Sequence, residues 1–191
     1  KFRIIYTGAH GPANGLDVVI GAAKRLLQYE QLHFILIGDG PEKARLMDVV
    51  KTESVHNVTF VNPVPKRLIP AVLQEADLLL HTLKPLDVFQ HGISPNKLFD
   101  YLASGKPIIM SANPANDIVR QSGAGITVEA GNERALAEGI LTMYCLGSDE
   151  RTALGQSGRD YVERYHSMEV LGDQLLGLLT KVCETNPSRQ T

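Results

Sequence analysis

The 191-residue chain is 43% hydrophobic and 21% charged, which suits one globular domain with a sizeable core and does not call for two. Its 19 basic and 21 acidic residues leave a net charge of −2, so no broad basic field exists to hold nucleic acid or an anionic membrane, while local phosphate binding is still allowed. Cys145 and Cys183 have neither metal-ligand nor CxxC spacing, which suits a reducing compartment, and no apolar run approaches the ~20 residues of a membrane helix.

The chain opens at Lys1 directly on a strand, without a starting methionine or signal peptide, which predicts a piece cut from a longer protein. Residues 3–7, RIIYT, read as a buried strand, and GAHGPANG is a glycine-rich turn before the amphipathic helix LDVVIGAAKRLLQ. Gly8, Gly11 and Gly15 do not match G-x-G-x-x-G, and no acid closes the second strand in the pattern of a dinucleotide site. His10 reads either as an ordinary loop histidine or as a phosphate contact, and the amides of Gly8 to Gly11 as a phosphate cradle. HFILIG is the second strand, followed by the turn Gly38-Asp39-Gly40-Pro41 and a helix entered at Pro41. NVTFV, the turn NPVP, the helix KRLIPAVLQEA and the strand DLLLHT come next. LKPLDVFQHG is then an irregular loop long enough to close over a ligand.

Residues 92–107, GISPNKLFDYLASGKP, carry the densest signal. Ser94 suits a helix cap, Pro95 the first helical position, and Gly105 with Pro107 the stop, giving a helix of about nine residues. Leu98, Leu102 and either Tyr101 or Phe99 share a buried face, while Lys97, Asp100 and Ser104 share a polar one. Free amides following Gly92, those of Ile93 to Asn96, would together with Lys97 attract phosphate oxygens, and Asp100 could accept from two neighbouring hydroxyls of a ribose. On spacing alone, Lys97 and Asp100 read first as an exposed intrahelical ion pair worth about 0.2–0.5 kcal/mol.

IIMS is a fifth strand, NPANDIVRQSG a helix stopped by glycine, and AGITVEA a sixth strand; from residue 132 the chain is helical. Six strands alternating with helices predict a doubly wound parallel six-stranded sheet, Rossmann-like, with ligands beyond the carboxyl ends of the strands. Ser94 to Lys97 fit the S-x-x-K of serine acylases, but neither S-D-N, K-T-G nor G-x-S-x-G accompanies them. H-E-x-x-H and D-x-D are also absent, so no metal or cofactor is predicted.

The stretch through Lys97, Asp100, Gly105 and Pro107, with GDGP and the βα order, resembles the C-terminal, donor-binding half of the retaining family-4 glycosyltransferases of the GT-B fold, whose pattern is roughly P-x-K-[LI]-x-E-[YA]-[ML]-A-x-G-x-P. The resemblance implies a nucleotide-sugar donor such as a UDP-sugar, with Asp100 on its ribose, Lys97 and Gly8, Gly11, Gly92, Ile93, Ser94 and Asn96 near its phosphates, Gly38 and Gly40 close to the nucleotide, and Pro63 or Val64 against the base. Asp100 stands where the family has Glu, and Gly92 where it has a second acid, for which the nearby Asp87 is a candidate replacement. The cations of the family's first turn fall here at Ala9 or His10 and at Asn14. The Ser-Pro-Asn-Lys variant resembles a branch used in bacterial surface-polysaccharide assembly. Residues 1–165 would be the donor domain, 166–183 a helix crossing back to an N-terminal domain that holds the acceptor, and 184–191 a frayed tail. The implied protein is cytoplasmic, meets a membrane only through a lipid-linked acceptor, and needs its other half for transfer. A nucleotide-sugar epimerase half and a non-catalytic nucleotide-binding module are the alternatives.

Overall fold

The computed structural model describes residues 1–94 and 96–185. Six strands, β1 (Phe2–Thr7), β2 (Leu32–Ile37), β3 (Val58–Val61), β4 (Leu78–Thr82), β5 (Ile108–Ser111) and β6 (Gly125–Val128), form one sheet in the order β3-β2-β1-β4-β5-β6. Every pairing is parallel. The helices are α1 (Leu16–Arg25), α2 (Lys43–Thr52), α3 (Ile69–Gln74), α4 (Asn96–Ala103), α5 (Ile118–Ser122), α6 (Glu133–Cys145), α7 (Ser148–His166) and α8 (Met168–Thr185).

The apolar runs are continuous rather than alternating because both faces of the sheet are covered. On one face Ile4, Tyr6, Phe34 and Leu36 pack with Val19 of α1, Leu46 of α2 and Ile140 of α6. On the other, Ile5, Leu79 and Met110 pack with Leu73 of α3, Leu98, Tyr101 and Leu102 of α4, Val119 of α5 and Val162 of α7. The chain winds outward from β1 through β2 to β3, then returns to lay β4 on the opposite side of β1. The crevice where the winding reverses lies at the carboxyl ends of β1 and β4.

Several elements differ from their sequence expectation; the expected helix KRLIPAVLQEA, for one, is a 3-10 turn at Lys66–Leu68 followed by α3. The second helix starts at Lys43 rather than Pro41, because residues 41 and 42 form a turn in which the Glu42 amide donates to His10 O, tying the helix entry to the first loop. The fifth helix shrinks to Ile118–Ser122: Asn113 accepts from the Ala130 amide and Asn116 bonds Ile93, so side chains hold the preceding stretch in loop form until Asp117 caps. The loop after β4 contains a 3-10 turn at Asp87–His91. Pro95 as the first helical residue, and residues 186–191 of the expected frayed tail, lie outside the described residues.

Candidate functional site

The β1–β4 ladder covers only Ile4–Leu78 and Ile5–Leu79, so the two strands part before their carboxyl ends. The Thr7 amide, left without a strand partner there, donates to the buried Tyr101 hydroxyl at 2.8 Å. The Thr7 hydroxyl lies 3.2 Å from the same oxygen. This bond pins α4 to the end of β1, and burial pushes the Tyr101 phenol up to about 12.

One turn before Tyr101, Lys97 is carried over the end of β1. Its Nζ donates to the Tyr6 hydroxyl at 2.9 Å and lies 4.3 Å from the centre of that ring. The Tyr6 hydroxyl in turn donates to Ala9 O at 2.8 Å. A methyl placed on Gly8 would lie 2.7 Å from Lys97 Nζ, so glycine is what lets the ammonium sit beneath the loop. Desolvation pulls Lys97 from its ordinary 10.5 down to about 8. An ammonium has three donors, and among the described residues Lys97 uses one. It forms no ion pair with Asp100: the exposed intrahelical pair expected from the spacing is absent.

The amide cradle expected around this cation is partly engaged elsewhere. Gly8 N–H donates to Ile37 O at 2.9 Å and His10 N–H to Asp39 O at 2.7 Å, because the first and second loops continue the parallel ladder beyond the strands. Gly38 and Gly40 serve this contact, since a methyl on Gly38 would lie 1.9 Å from Gly8 O and one on Gly40 2.6 Å from His10 O. Ala9 and Gly11 keep amides that donate to nothing among the described residues. The expectation of free amides from Ile93 to Asn96 is corrected at Ile93. Asn116 grips Ile93 by both backbone groups, accepting from its amide at 2.7 Å and donating to its carbonyl at 2.8 Å.

His10 is fully buried between the rings of Tyr6 and Phe60, which makes it part of the packing between loops rather than a phosphate contact facing solvent. His81 is likewise fully buried in β4, and desolvation followed by the Lys97 charge pulls it to about 3, so it is neutral.

The predicted residues are spread over three hollows, only two of which share a wall. Gly8, Gly38, Pro63 and Val64 line one of about 300 Å³, with Ile37 and Ile69 adding apolar wall. Asp100 is exposed and lines a second, of about 420 Å³, between α3 and α4, with Lys66, Gln74 and Ser104. Ile69 belongs to both, so the two adjoin. Ile93 and Ser94 line a third with Asn116, Phe99 and His166. Gly92 borders Asn116, Gly11 caps the 3-10 turn Pro12–Asn14, and Asn96 is the exposed first residue of α4. Asp87 is exposed in its turn. Sequence reasoning missed Tyr6 and Lys43 as site residues, the Lys43 Nζ donating to carbonyls at the ends of β2 and β3, and read Tyr101 only as a candidate for the buried face of its helix.

A basic side chain with two unused donors, two unused loop amides, an apolar wall and a carboxylate one helical turn away can together hold an anionic, partly apolar and hydroxyl-bearing ligand. Comparison with known proteins agrees with this chemistry. The family described as Glycosyl transferases group 1 matches residues 1–145. WcaI of Escherichia coli K12, named as a glycosyl transferase of colanic acid biosynthesis, is 29% identical over 168 residues, covering 86% of this chain and 39% of that protein. The chain thus spans about two fifths of that relative. HepE from Anabaena, crystallised with UDP, superposes with a TM-score of 0.80 at 18% identity, covering 95% of this chain and 49% of HepE. The C-terminal domain of the group 1 glycosyl transferase LpcC from Francisella tularensis gives 0.72 at 21% identity, covering 88% of this chain and 87% of that domain.

Proposed function

The chain belongs to the glycosyl transferases group 1, and from that membership we propose that it is the half of a two-domain glycosyltransferase that holds a nucleotide-sugar donor, with residues 1–165 as the donor domain. The observation that carries this reading is Lys97, a half-buried cation held by Tyr6 beneath Gly8 at the reversal of the sheet, with two donors left for phosphate oxygens. Asp100, one turn further along α4, takes the ribose hydroxyls, and Pro63 and Val64 receive the base. UDP is the default nucleotide. In this reading the acceptor is a lipid-linked sugar held by an N-terminal domain and met in the cytoplasm, and the similarity to WcaI, named for colanic acid biosynthesis, supports a role in polysaccharide biosynthesis.

In the reaction, the bond from the anomeric carbon to the diphosphate oxygen breaks as the acceptor oxygen bonds that carbon, with retention of configuration. The acceptor loses a proton and the diphosphate leaves with the bonding pair. Lys97 and the amides of Ala9 and Gly11 stabilise the charge that develops on the leaving group, a task that needs donors already in place.

Calorimetric titration with UDP, GDP and TDP, in the presence of a chelator, tests the reading. At least one nucleotide binds, and Asp100→Ala weakens it about tenfold or more, the expected effect when hydroxyls lose a charged acceptor worth roughly 1.5–3 kcal/mol. A strict requirement for Mg²⁺ or Mn²⁺, or equal affinity in the variant, overturns it.

A further inference from the structure

Lys43, the first residue of α2, is a cation of the same strand-end edge, but its geometry is unlike that of Lys97. Its Nζ donates to Gly38 O at 2.9 Å, to Asn62 Oδ1 at 2.9 Å and, more weakly, to Val61 O at 3.4 Å. The three protons of the ammonium are therefore all aimed at protein oxygens, and none is left for a phosphate. The three acceptors lie at the ends of β2 and β3 and on the first residue of the loop that follows β3, just where the ladder finishes with Gly38 N–H donating to Val61 O.

That loop, Asn62-Pro63-Val64-Pro65, rests on the core through Val64 and has few polar ties among the described residues. Two of its four residues are prolines and have no amide hydrogen, and each proline confines the residue before it to extended conformations without fixing where the segment lies. At its far end the Leu68 amide donates to Pro65 O at 2.8 Å. At its near end Lys43 is the side chain that binds Asn62. Pro63 and Val64, between these ties, form the wall of the hollow that adjoins Asp100 through Ile69.

We infer that Lys43 is a positioning residue that sets the placement of the base-facing loop, and so controls affinity for the nucleoside part of the ligand without touching its phosphates. The inference rests on the donor-binding reading above. Losing the ammonium leaves Asn62 Oδ1 and the Gly38 carbonyl without their donor. The loop then shifts or loosens, and the apolar wall at Pro63 and Val64 no longer meets the base. Lys97 stays as it is, because its contact comes from β1, and the loop bearing the amides of Ala9 and Gly11 keeps its backbone bonds to Ile37 O, to Asp39 O and from the Glu42 amide, none of which the Lys43 side chain makes.

The test compares three probes on the folded chain: inorganic pyrophosphate, UDP, and uridine, the last followed by ligand-observed NMR. Lys43→Met is expected to weaken uridine and UDP by the same factor, about tenfold, and to leave pyrophosphate unchanged, while Lys43→Arg recovers most of the loss. Lys97→Met is expected to do the reverse, weakening pyrophosphate and UDP but not uridine. A fall in pyrophosphate affinity in Lys43→Met makes Lys43 a phosphate cation and overturns the inference. A variant that melts earlier yet binds all three probes like the parent makes Lys43 a stability residue only, and also overturns it. A parent chain that binds none of UDP, GDP and TDP overturns the donor-binding reading itself, and the inference falls with it.

Discussion

Burial pulls the Lys97 ammonium from 10.5 to about 8, and this sets a pH dependence that can be read in binding and in stability. In the ligand-free fold the group is depressed below its unfolded value, so between about 8 and 10.5 the unfolded chain holds more protons. The penalty on folding is fully imposed below about pH 8 and vanishes above 10.5. A bound diphosphate raises the pKa again, so the complex keeps a proton that the free protein loses. Affinity for a nucleoside diphosphate is therefore expected to be level from about pH 7 to 8 and to fall by about tenfold per unit above 8, until the complex itself deprotonates. Titrations at several pH values check this, and Lys97→Met flattens the profile. A parent profile that is flat from pH 7 to 10 would mean that Lys97 does not meet the phosphates. Lys97 and Asp100 were legible as a pair on one helix, but the sequence could not say that they separate. Lys97 turns inward because Tyr6, 91 residues away, offers it an oxygen, and Asp100 stays in solvent.

At the scale of elements, α4 is tied twice through its C-terminal half. Tyr101 bonds Thr7 at the sheet, and α7 crosses against the turn that ends the helix. The α7 crossing depends on Gly155 and Gly158. A methyl on Gly155 would lie 2.0 Å from Gly105 O, and one on Gly158 2.7 Å from Ala124 Cβ. Gly155→Ala should gain up to ~1 kcal/mol of helix propensity and lose more to the collision, about 1–3 kcal/mol for overpacking against backbone that cannot rotate away. A net lowering of the melting temperature by a few degrees is expected. Gly172→Ala in α8, where nothing lies within 4 Å of the added methyl, is the control and should raise it slightly. Equal shifts in thermal denaturation would show that α7 does not press on the Gly105 turn. Neither glycine in α7 signals this from the sequence, where both sit inside a helical pattern without a visible partner.

At the scale of the whole molecule, one doubly wound sheet and its helices account for the described residues, and α8 projects from them with little to rest on. Leu175 is 57% exposed, Leu178 62% and Leu179 54%. If the acceptor is held by a second domain, this chain by itself should bind UDP and transfer no sugar, since rate depends on aligning two substrates across a cleft. A transfer assay run on the 191-residue chain and on the same chain joined to its N-terminal domain checks this. Equal turnover would require a complete catalytic site within these residues. What the sequence by itself determined was the order of strands and helices along the chain and the parallel sheet they form. Those follow from local patterns, in which apolar runs mark buried strands and glycine and proline mark their ends. Only the tertiary structure decided which groups are free to act. The amides of Gly8, His10 and Ile93 are engaged by the second loop and by Asn116, while Lys97 keeps two donors and Lys43 keeps none. A hydrogen-bonding group's availability depends on every partner within about 3 Å, and at this sheet edge those partners come from loops that the sequence keeps far apart.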